Sequence, residues 1–355
     1  MHAARRWHAP NRSARRQCGT FTADTTLDPD GIGNPAPASL ALLEHSPLAW
    51  AADSSTTGFQ TWTPFTDALP PSVNYHLWAA CNMRCRFCFA PFQDVVTEIL
   101  PKGHLPQQES LRLVRILADR FEKVSFAGGE PTLCPWLPEL VHAAKEQGGT
   151  TMLVTNGSRL SPCIDRLEGA LDWVTLSIDS AHRDVLVTLG RAIGGTRPLS
   201  ASDYLALADA VRRKGMRVKV NTVVTSANAG EDLAPLIRAL RPERWKLLRV
   251  LPVAGQNSGS VEPLLCTDAA FAGFVQRHLH LAAEGIEVVP EDNDDMRGSY
   301  AMVDPAGRFF DNASGGHRYS EPILDIGIDA AWPQTFFSMA RFANRGGEYD
   351  WRSQP

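Results

Sequence analysis

The chain has 355 residues, of which 44% are hydrophobic and 21% are charged, and its formal net charge at pH 7 is −4. This composition is ordinary for a globular protein with a sizeable core. The charge argues against a protein that holds nucleic acid by bulk positive charge, and no run of about 18 apolar residues predicts a membrane-spanning helix. Seven cysteines, three of them within eight residues, favour a reduced compartment such as the cytoplasm and a metal site over a disulfide framework.

Residues 1–70 differ in composition from the rest of the chain. Five arginines precede the first acidic residue, and Ala, Pro, Ser, Thr and Gly then dominate. Because such a segment buries too little apolar surface to fold by itself, we expect a flexible N-terminal tail. The remainder divides into a core at 71–255 and a less periodic, irregular C-terminal extension at 256–355.

Short runs rich in β-branched and aromatic residues alternate with helical patterns from residue 72 onward. This alternation predicts an α/β fold with a parallel sheet and crossover helices. Six such units make a partial TIM-like barrel, (β/α)6, with its functional residues at the C-terminal ends of the strands. The predicted strands are 73–78, 122–127, 151–155, 172–178, 217–223 and 244–251, and the predicted helices are 107–120, 136–147, 161–169, 201–214 and 231–240.

The polar positions of each predicted strand fall on one face, because side chains alternate across a strand. In a barrel the apolar face meets the helices, so the polar face lines the interior. Unpaired buried cations are costly, and a polyphosphate is a natural ligand for converging Lys and Arg. The alternative is a sheet whose polar face is solvated. The inward positions are Asn74, His76, Lys123, Ser125, Ala127, Thr175, Ser177, Lys219, Asn221, Arg244 and Lys246.

Three cysteines, Cys81, Cys85 and Cys88, follow the first predicted strand in the spacing C-x3-C-x2-C. Three thiolates on one loop suit three corners of a [4Fe–4S] cubane, and the fourth iron is then free to chelate a small molecule. Zinc is the competing metal, with Cys134 or His104 as a fourth ligand, although structural zinc sites normally have more regular pairs. A disulfide is the third alternative.

The order of motifs after successive strands resembles that of the radical S-adenosylmethionine (SAM) superfamily. The cysteine loop has an aromatic residue before its last cysteine, the sequence GGEP follows the second strand at 128–131, and TNG follows the third at 155–157. The resemblance implies that the three cysteines hold a [4Fe–4S] cluster and that SAM chelates the open iron. It also implies that SAM is bound by Phe87, Gly128, Gly129, Glu130, Asn156, Ser177, Asn221 and Val253.

Further segments resemble viperin and its prokaryotic relatives, over about residues 71–351. They include SVNYH at 72–76, KVN at 219–221, RWK at 244–246 and RGGEY at 345–349. Viperin-like enzymes are 3′-deoxy-3′,4′-didehydro-nucleotide synthases that act on nucleoside triphosphates, and their products terminate viral RNA synthesis. The resemblance implies that the C-terminal extension caps the nucleotide, with contacts from Asn74, Lys123, Lys219, Arg244, Lys246 and Arg345.

The same resemblance implies the chemistry. An external donor of the flavodoxin or ferredoxin type supplies one electron, and a 5′-deoxyadenosyl radical from SAM removes hydrogen from C4′ of CTP, GTP or UTP. The 3′-hydroxyl then leaves as water after protonation, and one further electron completes the alkene. The resemblance thus implies a lyase with a role in antiviral defence. Loss of hydroxide needs an acid, for which Tyr300, Lys123 and Lys219 are candidates. A packed aromatic side chain is an equally good interpretation of Tyr300.

Two other functions stay open at this point. One is a radical SAM enzyme that acts on another phosphorylated substrate, and the other is a non-enzymatic iron–sulfur protein that senses nucleotides. The remaining cysteines are scattered and form no second cluster pattern, which argues against peptide-modifying enzymes with auxiliary clusters. A fourth cysteine ligand, or a cluster indifferent to SAM, would favour the non-enzymatic function.

Overall fold

The computed structural model describes residues 68–352, so the predicted tail lies outside the described residues except for its last three. Within them, ten strands form a single sheet. The strands are β1 (Ser72–Trp78), β2 (Lys123–Gly128), β3 (Thr150–Thr155), β4 (Trp173–Ser177), β5 (Arg217–Val224), β6 (Arg244–Arg249), β7 (Glu287–Glu291), β8 (Met302–Val303), β9 (Arg308–Asp311) and β10 (Arg318–Pro322).

The sheet has the order β10-β9-β8-β1-β2-β3-β4-β5-β6-β7 and therefore keeps two free edges. Strands β1 to β7 are parallel to their neighbours, and β8 is parallel to β1. Only the β8–β9 and β9–β10 pairs of the described chain are antiparallel. The predicted α/β partial barrel is confirmed, and β1 to β6 match the six predicted strands to within one or two residues.

The C-terminal extension adds β7 to one edge of the sheet and β8 to β10 to the other. Helices connect the strands, and none between residues 68 and 352 is both long and apolar enough to cross a bilayer. The helices are α1 (Gln107–Arg120), α2 (Leu137–Lys145), α3 (Arg183–Thr188), α4 (Ala201–Arg213), α5 (Ala234–Leu240), α6 (Asp268–His278), α7 (Asn293–Met296), α8 (Ile323–Ile326), α9 (Ile328–Ala331) and α10 (Met339–Asn344).

The predicted helix at 161–169 is wrong, because this stretch has only a 3₁₀ segment at Ile164–Leu167. Pro162 stands near its start, and Gly169 adopts a left-handed conformation at its end, with φ of 77°. The few residues between them are too short for a stable α-helix. Ile164 and Leu167 are nevertheless buried, so the stretch contributes to the core as a tight turn.

The apolar core lies between the helices and one face of the sheet. Val124 and Phe126 of β2 are buried there with Leu113 and Leu117 of α1. The alternate positions of the strands point to the opposite side, into the interior of the partial barrel. The two faces therefore have separate roles, one in folding and one in lining a cavity.

Candidate active site

A cavity of about 630 Å³ fills the interior of the partial barrel. This size is within the range of small-molecule sites in proteins. Nearly all the inward polar residues predicted from strand alternation line it, with Thr175 and Arg244 as the exceptions. The predicted residues that do line it are Asn74, His76, Lys123, Ser125, Ala127, Ser177, Lys219, Asn221 and Lys246.

One end of the cavity, termed the cysteine end, is formed by the loop that follows β1. Cys81, Cys85 and Cys88 all line the cavity. The loop is fastened from outside by backbone hydrogen bonds, in which Arg84 N–H donates to Gly190 O at 3.2 Å and Arg86 N–H donates to Leu189 O at 3.0 Å. The positions of the three sulfurs therefore depend on a neighbouring segment as well as on the loop itself.

Burial raises the pKa of all three thiols, that of Cys85 to about 12. Thiolates at these positions need a strong local positive charge, which iron supplies. In residues 68–352, no three His, Cys, Asp or Glu side chains are arranged to hold a single metal ion. A cubane places each thiolate on a different iron, so the loop fits a [4Fe–4S] cluster better than a mononuclear zinc.

The two glycines of GGEP are packed against the segment that leads into the cysteine loop. Gly128 has a φ of 144°, and a Cβ at Gly129 would lie 2.4 Å from the carbonyl oxygens of both Ala79 and Ala80. Gly129 N–H donates to Trp78 O at 2.6 Å. Only glycine allows this close approach. The approach keeps the backbone groups of residues 128–129 on the cavity wall.

Glu130 is directed away from the cavity and into the protein. Its carboxylate accepts hydrogen bonds from Thr155 Oγ1 at 2.6 Å, from Asn156 N–H at 2.8 Å and from Thr132 N–H at 3.1 Å. Burial raises the pKa of Glu130, and these hydrogen bonds oppose the rise. The side chain thus holds the turn after β3 in place, and the turn presents Asn156 to the cavity.

The other predicted SAM-binding residues are divided between the cavity and the layer behind it. Phe87, Ser177 and Asn221 line the cavity, and Ser177 and Asn221 are direct neighbours in the β4–β5 register. Asn221 Oδ1 is buried and has no hydrogen-bond partner in the described chain, as expected of a group that awaits a ligand. Val253 lies behind the wall, with its N–H donated to Asn257 Oδ1 at 2.8 Å.

Asn257 was missed by the sequence analysis. Its Nδ2 donates to Phe87 O at 3.3 Å and to Leu251 O at 3.0 Å. It thereby joins the stretch after β6 to the cysteine loop. An asparagine in a loop without a recognisable motif gives no signal in one sequence, so this connection could be found only from the structure.

The opposite end of the cavity, termed the cation end, is lined by Lys123, Lys219, Lys246 and Arg345. Lys219 Nζ has no hydrogen-bond or ion-pair partner among residues 68–352 and lies 5.6 Å from the centre of the Tyr349 ring. Burial lowers the pKa of Lys219 well below its usual range, and the charges of Lys246 and Lys123 lower it further.

Lys123 is covered by the aromatic side chains of the last described residues. Its Nζ donates to Tyr349 Oη at 3.2 Å and lies 4.0 Å from the centre of the Trp351 ring. Burial, and then the charges of Lys246 and Arg345, lower its pKa well below the ordinary lysine value. The cation end is therefore short of negative charge, which is the condition expected of an anion-binding site.

Arg244 does not line the cavity, in contrast to the interior position predicted from its strand. It is fully buried behind the wall, where it pairs with Glu287 and donates to Gly346 O at 2.6 Å. Its guanidinium stacks on the Tyr349 ring at 4.1 Å. The register of β6 with β7 sets Glu287 directly opposite Arg244, so the extra strand supplies a partner that the sequence did not reveal.

Glu291, at the end of β7, is a buried carboxylate that the sequence analysis did not assign. It forms an ion pair with Lys246, accepts a hydrogen bond from Tyr300 Oη and lies 3.5 Å from Arg345 Nη1. Burial favours its neutral form, but Lys246 and Arg345 outweigh burial and lower its pKa. Burial lowers the pKa of Lys246, and Glu291 only partly offsets this.

Tyr300 faces the cavity and is also tightly packed, so both predicted interpretations describe part of its environment. The Arg345 guanidinium lies 3.6 Å from the centre of its ring, and Lys246 Nζ donates to its Oη at 3.2 Å. Burial raises its pKa well above the ordinary tyrosine value, so the phenol keeps its proton.

His76 lies on the cavity wall among the rings of Phe89, Phe92 and Phe310. Burial, assisted by the neighbouring His317, lowers its pKa to about 3. The imidazole is therefore neutral at physiological pH. Asn74, two residues earlier on β1, also lines the cavity, and its N–H donates to Ala301 O at 2.9 Å.

Comparisons with known proteins agree with this geometry. A family model described as the radical SAM superfamily matches residues 75–240. A SAM-dependent nucleotide dehydratase of Lacinutrix mariniflava is 50% identical over 285 residues, which cover 80% of this chain and 59% of that protein. A protein of the same name from Flammeovirga pacifica is 45% identical over 284 residues, which cover 79% of this chain and 96% of that protein.

The fold is similar to that of solved proteins with much lower sequence identity. Streptococcus suis SuiB, solved bound to S-adenosylmethionine, has a TM-score of 0.53 at 18% identity, over 68% of this chain and 60% of that one. This likeness concerns the fold alone. The family model and the close relatives show more: this chain belongs to the radical SAM superfamily and, within it, to the viperin-like SAM-dependent nucleotide dehydratases, enzymes whose cofactors are a [4Fe–4S] cluster and SAM.

Proposed function

We propose that this enzyme converts a nucleoside triphosphate, namely CTP, GTP or UTP, to its 3′-deoxy-3′,4′-didehydro analogue with loss of water. The observation that carries the proposal is a cavity with three cysteines at one end and, at the other, four cations that face a single carboxylate, Glu291. The name of the close relatives, nucleotide dehydratase, supports the same reaction class. The chain spans 59% of the length of the Lacinutrix mariniflava relative, so activity and substrate are proposed for this chain by itself.

At the cysteine end, Cys81, Cys85 and Cys88 would hold the cluster. Gly128, Gly129 and Asn156 would bind the methionine part of SAM, and Ser177 and Asn221 its ribose and carboxylate. Together, the reduced cluster and SAM supply the radical chemistry that removes a hydrogen atom from the nucleotide ribose at C4′. Phe87 would complete the wall around SAM, Val253 supports that wall from behind, and Glu130 positions the turn that presents Asn156.

At the cation end, Lys123, Lys219, Lys246 and Arg345 would bind the triphosphate. The pKa values of the lysines are lowered because burial and neighbouring cations disfavour their charged forms. A triphosphate would supply the negative charge that the free protein lacks there, and would form charge pairs with the lysines. Arg244, from behind the wall, adds positive potential and fixes Tyr349 through the stacking contact. Asn74 also lines the cavity, where its amide side chain is available to the ribose.

Departure of the 3′-hydroxyl as water needs a proton, and a further electron from the external donor is needed to complete the alkene. Three groups of the cavity hold a proton. Tyr300 keeps its proton because burial raises its pKa, and Glu291 orients its hydroxyl. Lys123 and Lys219 are stronger acids than an ordinary lysine, because burial lowers their pKa values, and a bound triphosphate favours their protonated forms. Anchoring both ends of the substrate region also limits the hydrogen atoms that can be reached.

The two segments of the chain contribute different parts of the site. We propose that residues 71–255 form the radical SAM core and that 256–355 cap the nucleotide, because Tyr300, Arg345 and Tyr349 come from the second segment. We place the enzyme in the cytoplasm, where thiols stay reduced. A chain-terminating nucleotide would serve in antiviral defence.

The reaction is tested by anaerobic incubation of the reconstituted enzyme with SAM, dithionite and each nucleotide deuterated at C4′. Mass spectrometry should find one deuterium in 5′-deoxyadenosine, and an unlabelled nucleotide product that has lost the C4′ deuterium and the 3′-hydroxyl. Free nucleosides should react poorly, because they leave the cation end unpaired. Deuterium retained in the nucleotide product would refute the assigned reaction, and cleavage of SAM without any nucleotide product would refute the substrate class.

A further inference from the structure

The outer side of the cysteine loop is continuous with two other segments. Arg84 N–H donates to Gly190 O at 3.2 Å, Gly194 N–H donates to Asn82 O at 3.1 Å, and Asn82 Nδ2 donates to Ser158 Oγ at 2.9 Å. The cysteine loop, the turn after β3, and α3 with the segment that follows it therefore form one surface. Its arginines, termed here the arginine surface, are Arg84, Arg86, Arg159, Arg183 and Arg197.

The arginine surface has positive charge without internal compensation. Within residues 68–352 none of its five arginines takes part in an ion pair, whereas Arg191 of the same region pairs with Asp179 at 2.6 Å. Asp184 is the only acidic residue in the stretches 81–93, 156–164 and 183–197. A chain with a net charge of −4 thus concentrates unpaired positive charge beside its cysteines. Such a patch attracts and orients an acidic partner.

An apolar side chain is exposed among these charges. Val187 of α3 is 36% exposed and is one of the few large apolar side chains so exposed in the described chain. Protein interfaces commonly combine an apolar centre with a polar or charged rim. The combination favours a folded protein partner over a small anion, which needs no apolar contact.

The arginine surface is also close to the cysteine sulfurs. Gly190 O lies 3.7 Å from Cys85 Sγ, and Gly190 N–H donates to Val187 O at 3.0 Å. A protein docked on Val187 is thus separated from a cysteine sulfur by a single layer of backbone. This short path suits a partner that passes an electron through the protein.

We propose that the arginine surface docks an acidic one-electron carrier of the flavodoxin type, which loses one electron as the cluster gains it. The inference rests on the proposed function, because only a reducible cluster needs such a partner. The variant to test is the double substitution Arg159→Glu and Arg197→Glu, since neither side chain donates a hydrogen bond to any described residue. The matched control is Arg112→Glu with Arg115→Glu, two exposed arginines of α1 that form no ion pair in the described chain.

Binding of an oxidised acidic flavodoxin to the reconstituted proteins is measured at low ionic strength. The control should bind like the wild type, and the Arg159/Arg197 variant about tenfold more weakly or worse, because like charges then face each other across the interface. SAM cleavage driven by reduced flavodoxin should fall by a similar factor in that variant, while dithionite-driven cleavage stays equal in all three proteins.

The proposal is overturned if the variant binds flavodoxin as tightly as the control, or if the wild type does not bind it. It is also overturned if single-stranded RNA binds this surface more tightly than flavodoxin. A wild type that fails with dithionite contradicts the proposed function instead, and the binding comparison still decides the docking surface.

Discussion

The two ends of the cavity are stabilised in different ways. At the cysteine end, backbone hydrogen bonds and two closely packed glycines fix the loop, and the buried carboxylate of Glu130 has four donors. At the cation end, lysines with lowered pKa values face one another, and Lys219 has no partner in the described chain. The loop and the buried carboxylate of the first end are thus satisfied by the protein itself, although Asn221 Oδ1 has no partner in the described chain. The second end is electrostatically unfavourable without an anion. Four predictions test this contrast, from the largest expected effect to the smallest.

The largest effect is expected from Cys85→Ala, because a cubane cannot be held by two of its three thiolates. The reconstituted wild type should bind about four irons, and the variant should lose them together with all SAM cleavage. Iron analysis and the yield of 5′-deoxyadenosine measure both. Cys163→Ala is the control, since Cys163 lies outside the cysteine loop. Stoichiometric zinc without iron uptake by the wild type would contradict the cluster assignment.

A second effect is expected on stability, from Lys246→Ala. The substitution leaves the buried Glu291 carboxylate with Arg345 alone as its cation, so the free energy of unfolding should fall by about 3 kcal/mol. Denaturant titration measures it. The double variant Lys246→Met with Glu291→Gln should recover most of the loss, because neither group is then charged. No recovery would show that Lys246 acts mainly through packing.

In contrast to Lys246→Ala, the substitution Lys219→Ala should weaken triphosphate binding without lowering the stability of the free protein. Removal of an unpartnered buried ammonium should leave the free protein equally or more stable. Nucleoside triphosphate binding should weaken by about 1.5–3 kcal/mol, the scale of a charge-assisted hydrogen bond, and iron content should not change. Calorimetry measures the triphosphate affinity, and iron analysis measures the iron content. Unaltered triphosphate affinity would show that Lys219 serves structure.

The smallest effect concerns pH. Since burial lowers the pKa of Lys219 from 10.5, the unfolded chain binds more protons than the folded one between the lowered pKa and 10.5. Stability of the free protein should therefore rise with pH across that range. A bound triphosphate raises the pKa of Lys219 again, so binding takes up protons. Triphosphate affinity should therefore fall as the pH rises. For each proton taken up, the binding free energy should change by up to about 1.4 kcal/mol per pH unit. Calorimetry in buffers of different ionisation enthalpy would detect this uptake, and proton release would contradict it.

The sequence predicted β1 to β6 well because each is a short run rich in β-branched and aromatic residues. Strand alternation also correctly directed Lys123, Lys219 and Lys246 into the cavity. These predictions depend on local pattern and side-chain period, which a single sequence contains.

The errors came from long-range contacts. Arg244 follows the predicted alternation but lies behind the cavity wall, where it pairs with Glu287, a residue 43 positions later on the neighbouring strand. Strands β8 to β10 have two to five residues each, too few for a periodic signal. Asn257 bonds to the cysteine loop and Glu291 pairs with Lys246, and neither contact can be predicted from a sequence motif. Tertiary pairing decides such positions, so one sequence does not predict them.

The contact of Lys123 with the aromatic side chains of Tyr349 and Trp351 has a consequence for the order of folding. Lys123 meets Tyr349 across 226 residues, and Trp173 Nε1 donates to Trp351 O across 178 residues. Contacts between such distant positions form late, because chain entropy must be lost before they provide any stabilisation. The cysteine loop and GGEP, in contrast, are separated by only about 40 residues. A folding intermediate can therefore be ready to accept iron and sulfide while the triphosphate end is still open to solvent.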